Sequence, residues 1–94
     1  MLIRWTKPAV EDLRKICDFT QERFGPAQGR KTALALYDAA ESLNRFPMRG
    51  RVGRKLRTRE LVVTGYPFLI IYRVQKGTVE VLRLLHGAQN WPSS

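Results

Sequence analysis

The chain has 94 residues, with 17 lysines and arginines against 8 aspartates and glutamates, which gives a formal net charge of +9. This length supports one core, so we expect a single domain over residues 1–94, and the basic balance favours acidic partners such as nucleic acid or an acidic protein. No stretch has the roughly 18 consecutive apolar residues of a membrane span, and the N-terminus has no signal-peptide core. Because Cys17 has no second cysteine to pair with, the sequence predicts a protein of the reducing cytoplasm with no membrane partner.

The first third of the chain predicts a short strand and then a helix. Leu2–Trp5 alternates apolar and polar residues and precedes Pro8, a pattern that favours a strand followed by a helix with Thr6 as its N-cap. Apolar residues recur at three- and four-residue spacing over residues 8–24, and a glycine–proline pair then ends the helix. The inward positions expected from this spacing are Val10, Leu13, Ile16, Cys17 and Phe24.

A second helix is predicted from about Ala27 to Arg45, with Pro47 as its stop. Because the turn between the two helices is short, they should lie antiparallel as a hairpin. The expected inward stripe of this helix is Ala33, Leu34, Tyr37, Ala40, Leu43 and Phe46.

The last third of the chain predicts an antiparallel meander. Glu60–Val63, Tyr66–Val74 and Thr78–Leu85 are rich in β-branched and aromatic residues and are separated by glycine-containing turns. The fold class is therefore α+β, with element order β-α-α-β-β-β and a curled antiparallel sheet that carries the helical hairpin on one face. The other face is expected to be an open binding surface, and Trp91-Pro92 to fold back as an anchor.

Residues 45–60, here called the basic connector, join the helices to the meander. They hold seven of the 17 basic residues and no acid before Glu60. Arginine forks interleaved with glycines suit bidentate contacts with a phosphate or carboxylate, so the connector is typical of an anion-binding patch. The alternative is a solvated loop whose charge only keeps the protein soluble. The cations are Arg45, Arg49, Arg51, Arg54, Lys55, Arg57 and Arg59.

Few other residues could carry chemistry. His86, the only histidine, follows a strand and could exchange protons near neutral pH, although a structural hydrogen bond explains it equally well. Glu60 is expected to form an ion pair with Arg59 rather than to act as a base. There is no Cys/His metal spacing, no supported Ser-His-Asp set and no glycine-rich phosphate loop, so we expect no metal and no cofactor.

Taken in order, the segments WTKPAVEDLRKICDF, GR, TRELVV, YPFLIIYRV and VEVLRLLHGAQNWP resemble the RelE/ParE superfamily of toxins from bacterial type II toxin-antitoxin modules of the plasmid-stabilisation type. The resemblance covers nearly the whole chain. It implies a small basic toxin whose partner is a cognate, acidic and partly disordered antitoxin that folds on binding. A toxin–antitoxin hetero-oligomer is therefore expected.

The superfamily divides by target. ParE-like members poison DNA gyrase, whereas RelE-like members cut mRNA on the ribosome without a metal ion. In several ribonuclease members an arginine stands three residues before the tyrosine that matches Tyr72, and this chain has Leu69 there. Arg83 and His86 match an arginine and a histidine of some nuclease members, but ParE-like chains also carry a histidine after that strand.

These two branches imply different roles for the same residues. A nuclease would use His86 as the base, with Arg51, Arg59 and Arg83 to stabilise phosphate charge. In either branch, the residues expected to contact nucleic acid or another target are Arg49, Arg51, Arg54, Lys55, Arg57 and Tyr72.

The spacing of YPFLIIYRV and VLRLLHG is more similar to the ParE branch. The resemblance therefore favours a toxin that inhibits growth of its host at gyrase or DNA replication until an antitoxin neutralises it. The alternative from the enzyme class is a ribosome-dependent, metal-independent mRNA endonuclease. A third interpretation is a non-toxic relative kept as a binding module.

Overall fold

The computed structural model describes residues 1–87 and Trp91. In this part of the chain, two α-helices and one 3-10 turn lie between the first strand and four later strands. The elements are β1 (Leu2–Trp5), α1 (Lys7–Phe24), α2 (Pro26–Glu41), the 3-10 turn (Ser42–Asn44), β2 (Arg51–Val52), β3 (Arg59–Val62), β4 (Phe68–Gln75) and β5 (Thr78–His86). No helix of the described residues is long and apolar enough to cross a membrane.

The strands form one five-stranded sheet in the order β1-β5-β4-β3-β2. The predicted meander is confirmed, with β4 at the centre and antiparallel to β3 and β5. Two details of the predicted sheet were wrong. β1 runs parallel to β5, in the register that sets Leu2 opposite Thr78, and the connector contributes β2, whose two residues are too few for a sequence pattern. The sheet is therefore mixed rather than antiparallel.

The helical hairpin covers one face of the sheet, and its inward stripe only partly matches the predicted one, in which Ala40 and Leu43 are confirmed. Leu36, Ala40 and Leu43 are fully buried, whereas Leu34 and Tyr37 are exposed. Apolar residues surround much of α2, so two stripes fit helical spacing, and the one that continues the buried Gly29 and Thr32 packs inward. The other predicted inward residues that prove exposed are Val10, Phe24 and Phe46.

The second face of the sheet is not an open surface. Leu69, Ile71 and Leu85 are buried there, and Trp91 packs over them. The predicted anchor is therefore confirmed for Trp91, while Pro92 lies outside the described residues. Trp91 covers apolar area that would otherwise face water, so the binding surface expected on this face is reduced.

Beyond the end of β1, side chains from α1 and its N-cap form hydrogen bonds with backbone groups along the edge of β5. β1 pairs only with Thr78–Val81, and beyond it the Thr6 hydroxyl donates to the carbonyl of Leu82 (2.9 Å). The N–H of Leu84 donates to Asp12 Oδ2 (3.0 Å). The prediction of Thr6 as the N-cap of α1 is confirmed, because its hydroxyl accepts a hydrogen bond from the Ala9 N–H (3.2 Å). The side chains of Thr6 and Asp12 thus take the place of a strand partner for this part of β5.

Removal of the Asp12 carboxylate should destabilise this junction. We expect Asp12→Ala to lower the free energy of unfolding by about 2 kcal/mol, because the Leu84 N–H and the Arg83 guanidinium lose their acceptor in a part-buried setting. Asp18→Ala on the same helix removes an exposed pair with Arg14; it is the matched control and should cost less than about 0.5 kcal/mol. Urea unfolding measures both; equal costs would contradict this role of Asp12.

Candidate functional site

The basic connector presents two different sides to its surroundings. Successive residues of a strand point to opposite faces of the sheet, so Arg51 and Val52 of β2 diverge. Arg51 lies opposite Glu60 and Val52 opposite Arg59 in the β2–β3 register. The connector is therefore divided into one side that faces the Glu60 carboxylate and another that borders Arg59.

Glu60 binds the first side of the connector. Its side chain is 1% exposed, and Oε1 accepts from Arg51 Nη2 (3.0 Å) while Oε2 accepts from Arg54 Nε (3.1 Å). The backbone N–H of Arg54 is a second donor to Oε2 (3.0 Å). Burial by itself would raise the pKa of Glu60, but these hydrogen bonds outweigh it and hold that pKa below its usual value. The carboxylate stays ionised and fixes two arginines.

The predicted ion pair of Glu60 is confirmed, but its predicted partner was wrong. Arg59 lies on the opposite side of β3 from Glu60, because neighbouring residues of a strand face opposite ways. Its guanidinium instead donates to the carbonyl of Gly50 (2.8 Å).

Tyr72 fixes the other side of the connector from within the core. Its hydroxyl donates to the carbonyl of Pro47 (2.7 Å) and accepts the N–H of Gly50 (2.8 Å). The residue is fully buried. Burial raises the pKa of Tyr72, against the lowering effect of the Gly50 N–H and of the Arg59 and Arg49 charges, so the hydroxyl stays protonated at neutral pH. Tyr72 thus acts on a partner only through the residues that it positions.

The remaining connector cations are more accessible. Arg49 donates to the Ser42 hydroxyl (2.9 Å), and the Lys55 ammonium lies 5.8 Å from the centroid of the Trp91 ring. Arg45 and Arg57 are exposed and form no ion pair with any residue that the structure describes. These side chains keep their charge available for a partner.

His86 lies at the far end of β4 from this network. Its ring meets Phe68 edge to face, with the centroids 5.9 Å apart. Beside it, a groove of about 640 Å³ runs between the helical hairpin and the β3–β4 turn, and no charged residue is among those that line it. The lining includes Phe19, Phe24, Tyr66 and Phe68. This groove is thus apolar, whereas a second depression that His86 also lines contains Arg51.

Arg83 is engaged by α1. Its Nε donates to Asp12 Oδ2 (2.6 Å) and its Nη2 to Asp12 Oδ1 (3.0 Å), a bidentate pair. Donation of this hydrogen bond to Asp12 raises the pKa of Arg83 above its usual value. The guanidinium is therefore committed to a contact within the fold.

Of the four residues expected in a nuclease site, Arg59, Arg83 and His86 do not meet, whereas Arg51 lines the same depression as His86. Along β4, Arg59 lies opposite Tyr72, Arg83 opposite Ile71 and His86 opposite Phe68. Four residues separate the first and last of these positions, or about 13 Å at about 3.3 Å per residue. Nor do the described residues include any group of three His, Cys, Asp or Glu side chains placed to hold a metal ion.

The family model for the ParE toxin of the type II toxin-antitoxin system, parDE, matches residues 3–91. The chain belongs to this toxin family. It is 36% identical over 90 residues to the predicted toxin Y4kP of Sinorhizobium fredii, covering 96% of this chain and 92% of the relative. It is 40% identical over 85 residues to toxin RelE2 of Caulobacter vibrioides, covering 90% and 93%.

A solved structure supports the same assignment. The chromosomal ParDE toxin-antitoxin system of P. aeruginosa contains a chain that matches with a TM-score of 0.85 and 25% identity, covering 92% of this chain and 95% of that one. The predicted membership of the RelE/ParE superfamily and the α+β fold are therefore confirmed. The protein is the toxin component of a toxin-antitoxin system, and toxins of this superfamily pair with an antitoxin.

Sequence reasoning missed the residues that hold the connector of this ParE-family toxin in place. Gly50 and Pro47 contact the Tyr72 hydroxyl through their backbone atoms, and such backbone contacts leave no recognisable pattern in the sequence. Asp12 lies within the segment WTKPAVEDLRKICDF that carries the family resemblance, but that segment predicts no partner for it. Its pairing with Arg83 joins residues 71 positions apart, which a local pattern does not reveal.

Proposed function

We propose that this toxin inhibits growth by binding DNA gyrase, and that it does so without nuclease chemistry of its own. The observation that carries this proposal is the separation of Arg59, Arg83 and His86, which lie on the strands beside β4 and opposite different residues of it. Phosphodiester cleavage needs a base, a proton donor and a cation within hydrogen-bond reach of one phosphate. Residues about 13 Å apart along a strand do not meet that requirement.

The position of Leu69 supports the same target. Several ribonuclease members of the superfamily that this chain resembles carry an arginine there, whereas Leu69 is packed in the apolar cluster with Ile71 and Leu85. Since the side chain is 6% exposed, the position supplies neither charge nor contact to RNA. The match of the ParE family model over residues 3–91 favours the gyrase branch as well.

The proposed neutralising partner is a cognate acidic antitoxin, encoded by a neighbouring reading frame, that wraps this toxin in the cytoplasm as a hetero-oligomer. A formal net charge of +9 suits an acidic chain that folds as it binds. The five connector cations proposed for contacts are all exposed, and two of them, Arg51 and Arg54, are already paired with Glu60.

Induced expression tests the target directly. If gyrase is the target, induction should give DNA breaks and an SOS response, and a gyrase supercoiling assay should be inhibited by the toxin made by cell-free synthesis. Gyrase activity that is unchanged at a large excess of folded toxin would refute the proposal. Normal growth on verified expression would leave only the non-toxic binding relative.

The alternative function is an mRNA endonuclease, which the 40% identity to a protein named toxin RelE2 favours. It predicts cuts in coding regions of mRNA on ribosomes and loss of toxicity in His86→Ala with antitoxin binding retained. Under the gyrase proposal His86→Ala should keep inhibiting gyrase, so the same variant separates the two functions.

A further inference from the structure

The basic connector exposes large apolar side chains between its arginines. Phe46, Met48, Val52 and Leu56 are 62%, 61%, 79% and 84% exposed. An isolated exposed apolar residue is ordinary, but four within eleven consecutive positions of one charged segment are a concentrated patch. The fold does not need these side chains for its core, so their exposure needs another explanation.

Met48 lines two depressions of the surface. One is formed by the turn that holds Phe46 and Arg49, and the other lies where Val52 and Arg59 meet the end of β4. We call the two together the Met48 surface. Five arginines line it and no acidic residue does. They are Arg45, Arg49, Arg57, Arg59 and Arg73.

The composition of the Met48 surface fits a protein better than a nucleic acid. Interfaces between proteins are enriched in arginine, methionine and aromatic residues around a desolvated centre. Nucleic-acid surfaces instead combine cations with polar groups and aromatic rings on which bases stack, and Phe46 is the only aromatic residue lining this surface. Aliphatic side chains such as Val52 gain little against phosphates but fit an apolar pocket.

We propose that the Met48 surface is where this toxin docks on its target, and that the complementary patch is a folded protein surface with an apolar pocket rimmed by carboxylates. This inference rests on the proposed gyrase target and adds the surface that contacts it. Phe46 and Met48 enter the pocket, while Arg45 and Arg57 pair with the rim. The antitoxin is not the occupant proposed for this surface.

Charge complementarity supports the acidic rim. Arg45 and Arg57 have no ion-pair partner among the described residues, so pairing with a carboxylate breaks no contact of the toxin. Arg51 and Arg54 already share Glu60 on the other side of the connector and are not part of the Met48 surface. Arg51 and Arg54 thus stabilise the connector itself, whereas Arg45 and Arg57 are left to pair with a partner.

Two matched pairs of variants test the surface. Phe46→Ser/Met48→Ser removes the apolar anchors, and its control, Val10→Ser/Leu34→Ser, removes equally exposed apolar residues from the helices. Arg45→Gln/Arg57→Gln removes the free cations, and its control, Arg30→Gln/Lys31→Gln, removes the same charge from α2. Each protein, made by cell-free synthesis and checked by thermal melting, is titrated against purified gyrase holoenzyme, a short DNA duplex and a single-stranded RNA.

We expect both connector variants to bind gyrase at least about tenfold more weakly, and both controls to stay within about twofold. The loss from the charge variant should shrink at high salt, whereas that from the apolar variant should not. Unchanged gyrase binding by a folded Phe46→Ser/Met48→Ser would overturn the proposed surface and leave the gyrase function intact.

Two further outcomes would also overturn the proposal. Tighter binding to DNA or RNA than to gyrase, sensitive to Arg45 and Arg57 but not to Phe46 and Met48, would make the surface a nucleic-acid site. Failure of the unaltered toxin to bind gyrase at all would remove the proposed function and this surface with it. If the apolar variant melts early, Met48→Gln replaces it, since one exposed polar substitution keeps the chain length and most of the side-chain volume.

Discussion

Gly50→Ala should lower the free energy of unfolding of this toxin by about 3 kcal/mol, which is at the upper end of the cost of overpacking a core. A Cβ on Gly50 would lie 2.7 Å from both Cε1 and Oη of Tyr72 and 3.0 Å from the carbonyl oxygen of Glu60. Neither neighbour can easily move, because the tyrosine ring is fully buried and the carbonyl belongs to β3. The hydrogen bond from the Gly50 N–H to Tyr72 Oη would be lost with the displacement.

Chemical denaturation measures this cost, and Gly87→Ala is the matched control. A Cβ at Gly87 would meet only the Pro67 carbonyl oxygen, at an ordinary 3.7 Å, so that change should stay within about 0.5 kcal/mol. In a double-mutant cycle, Tyr72→Phe removes Oη and part of the clash, so the two costs should be less than additive. Equal stability of Gly50→Ala and Gly87→Ala would show that the connector adapts without strain.

The Tyr72 network also explains how a segment so rich in arginine keeps a defined shape. Like charges repel, and the connector has few apolar contacts of its own. One buried hydroxyl holds the carbonyl of Pro47 and the N–H of Gly50, and the guanidinium of Arg59 binds the carbonyl of Gly50. Residues 47–50 are thereby fixed against the core, and Met48 and Arg49 are presented outward between two anchored positions.

The parts of the fold that follow from local pattern could be predicted from the sequence. Alternation and turn glycines place β3, β4 and β5 within about two residues, and the Thr6 cap and the glycine–proline break bound α1. The direction of β1 relative to β5 could not be predicted, because pairing across more than 70 residues leaves no periodic signal in either strand.

The candidate site was predictable as charge but not as geometry. The density of arginines between 45 and 60 marks the connector in the sequence, yet Arg51 and Arg54 turn toward Glu60 while Arg45 and Arg57 do not. That division depends on which face of β3 carries Glu60, a property of strand register rather than of composition. Leu56 and Val52 were similarly unremarkable in sequence, and only their exposure distinguishes them.

Glu60→Gln should destabilise the toxin by about 2 kcal/mol, since it removes a buried charge that accepts hydrogen bonds from two arginines and from the Arg54 N–H. The cost stays below that of a fully buried pair, because the Arg51 and Arg54 side chains are 59% and 47% exposed and water can solvate them. Glu80→Gln is the matched control. The Glu80 side chain is 27% exposed, against 1% for Glu60, so loss of its pair with Arg73 should cost less than about 1 kcal/mol.

The dependence on pH provides a second measurement of the same contact. Since the pKa of Glu60 is lower in the folded than in the unfolded chain, its contribution to stability is present above the unfolded value of about 4.3 and is lost as pH falls through the folded pKa. The stability difference between the unaltered toxin and Glu60→Gln should therefore be constant near neutral pH and shrink in acid below about pH 4. A difference that persists unchanged in strong acid would contradict this account, because it would show that the cost of Glu60→Gln does not come from loss of the negative charge that binds Arg51 and Arg54.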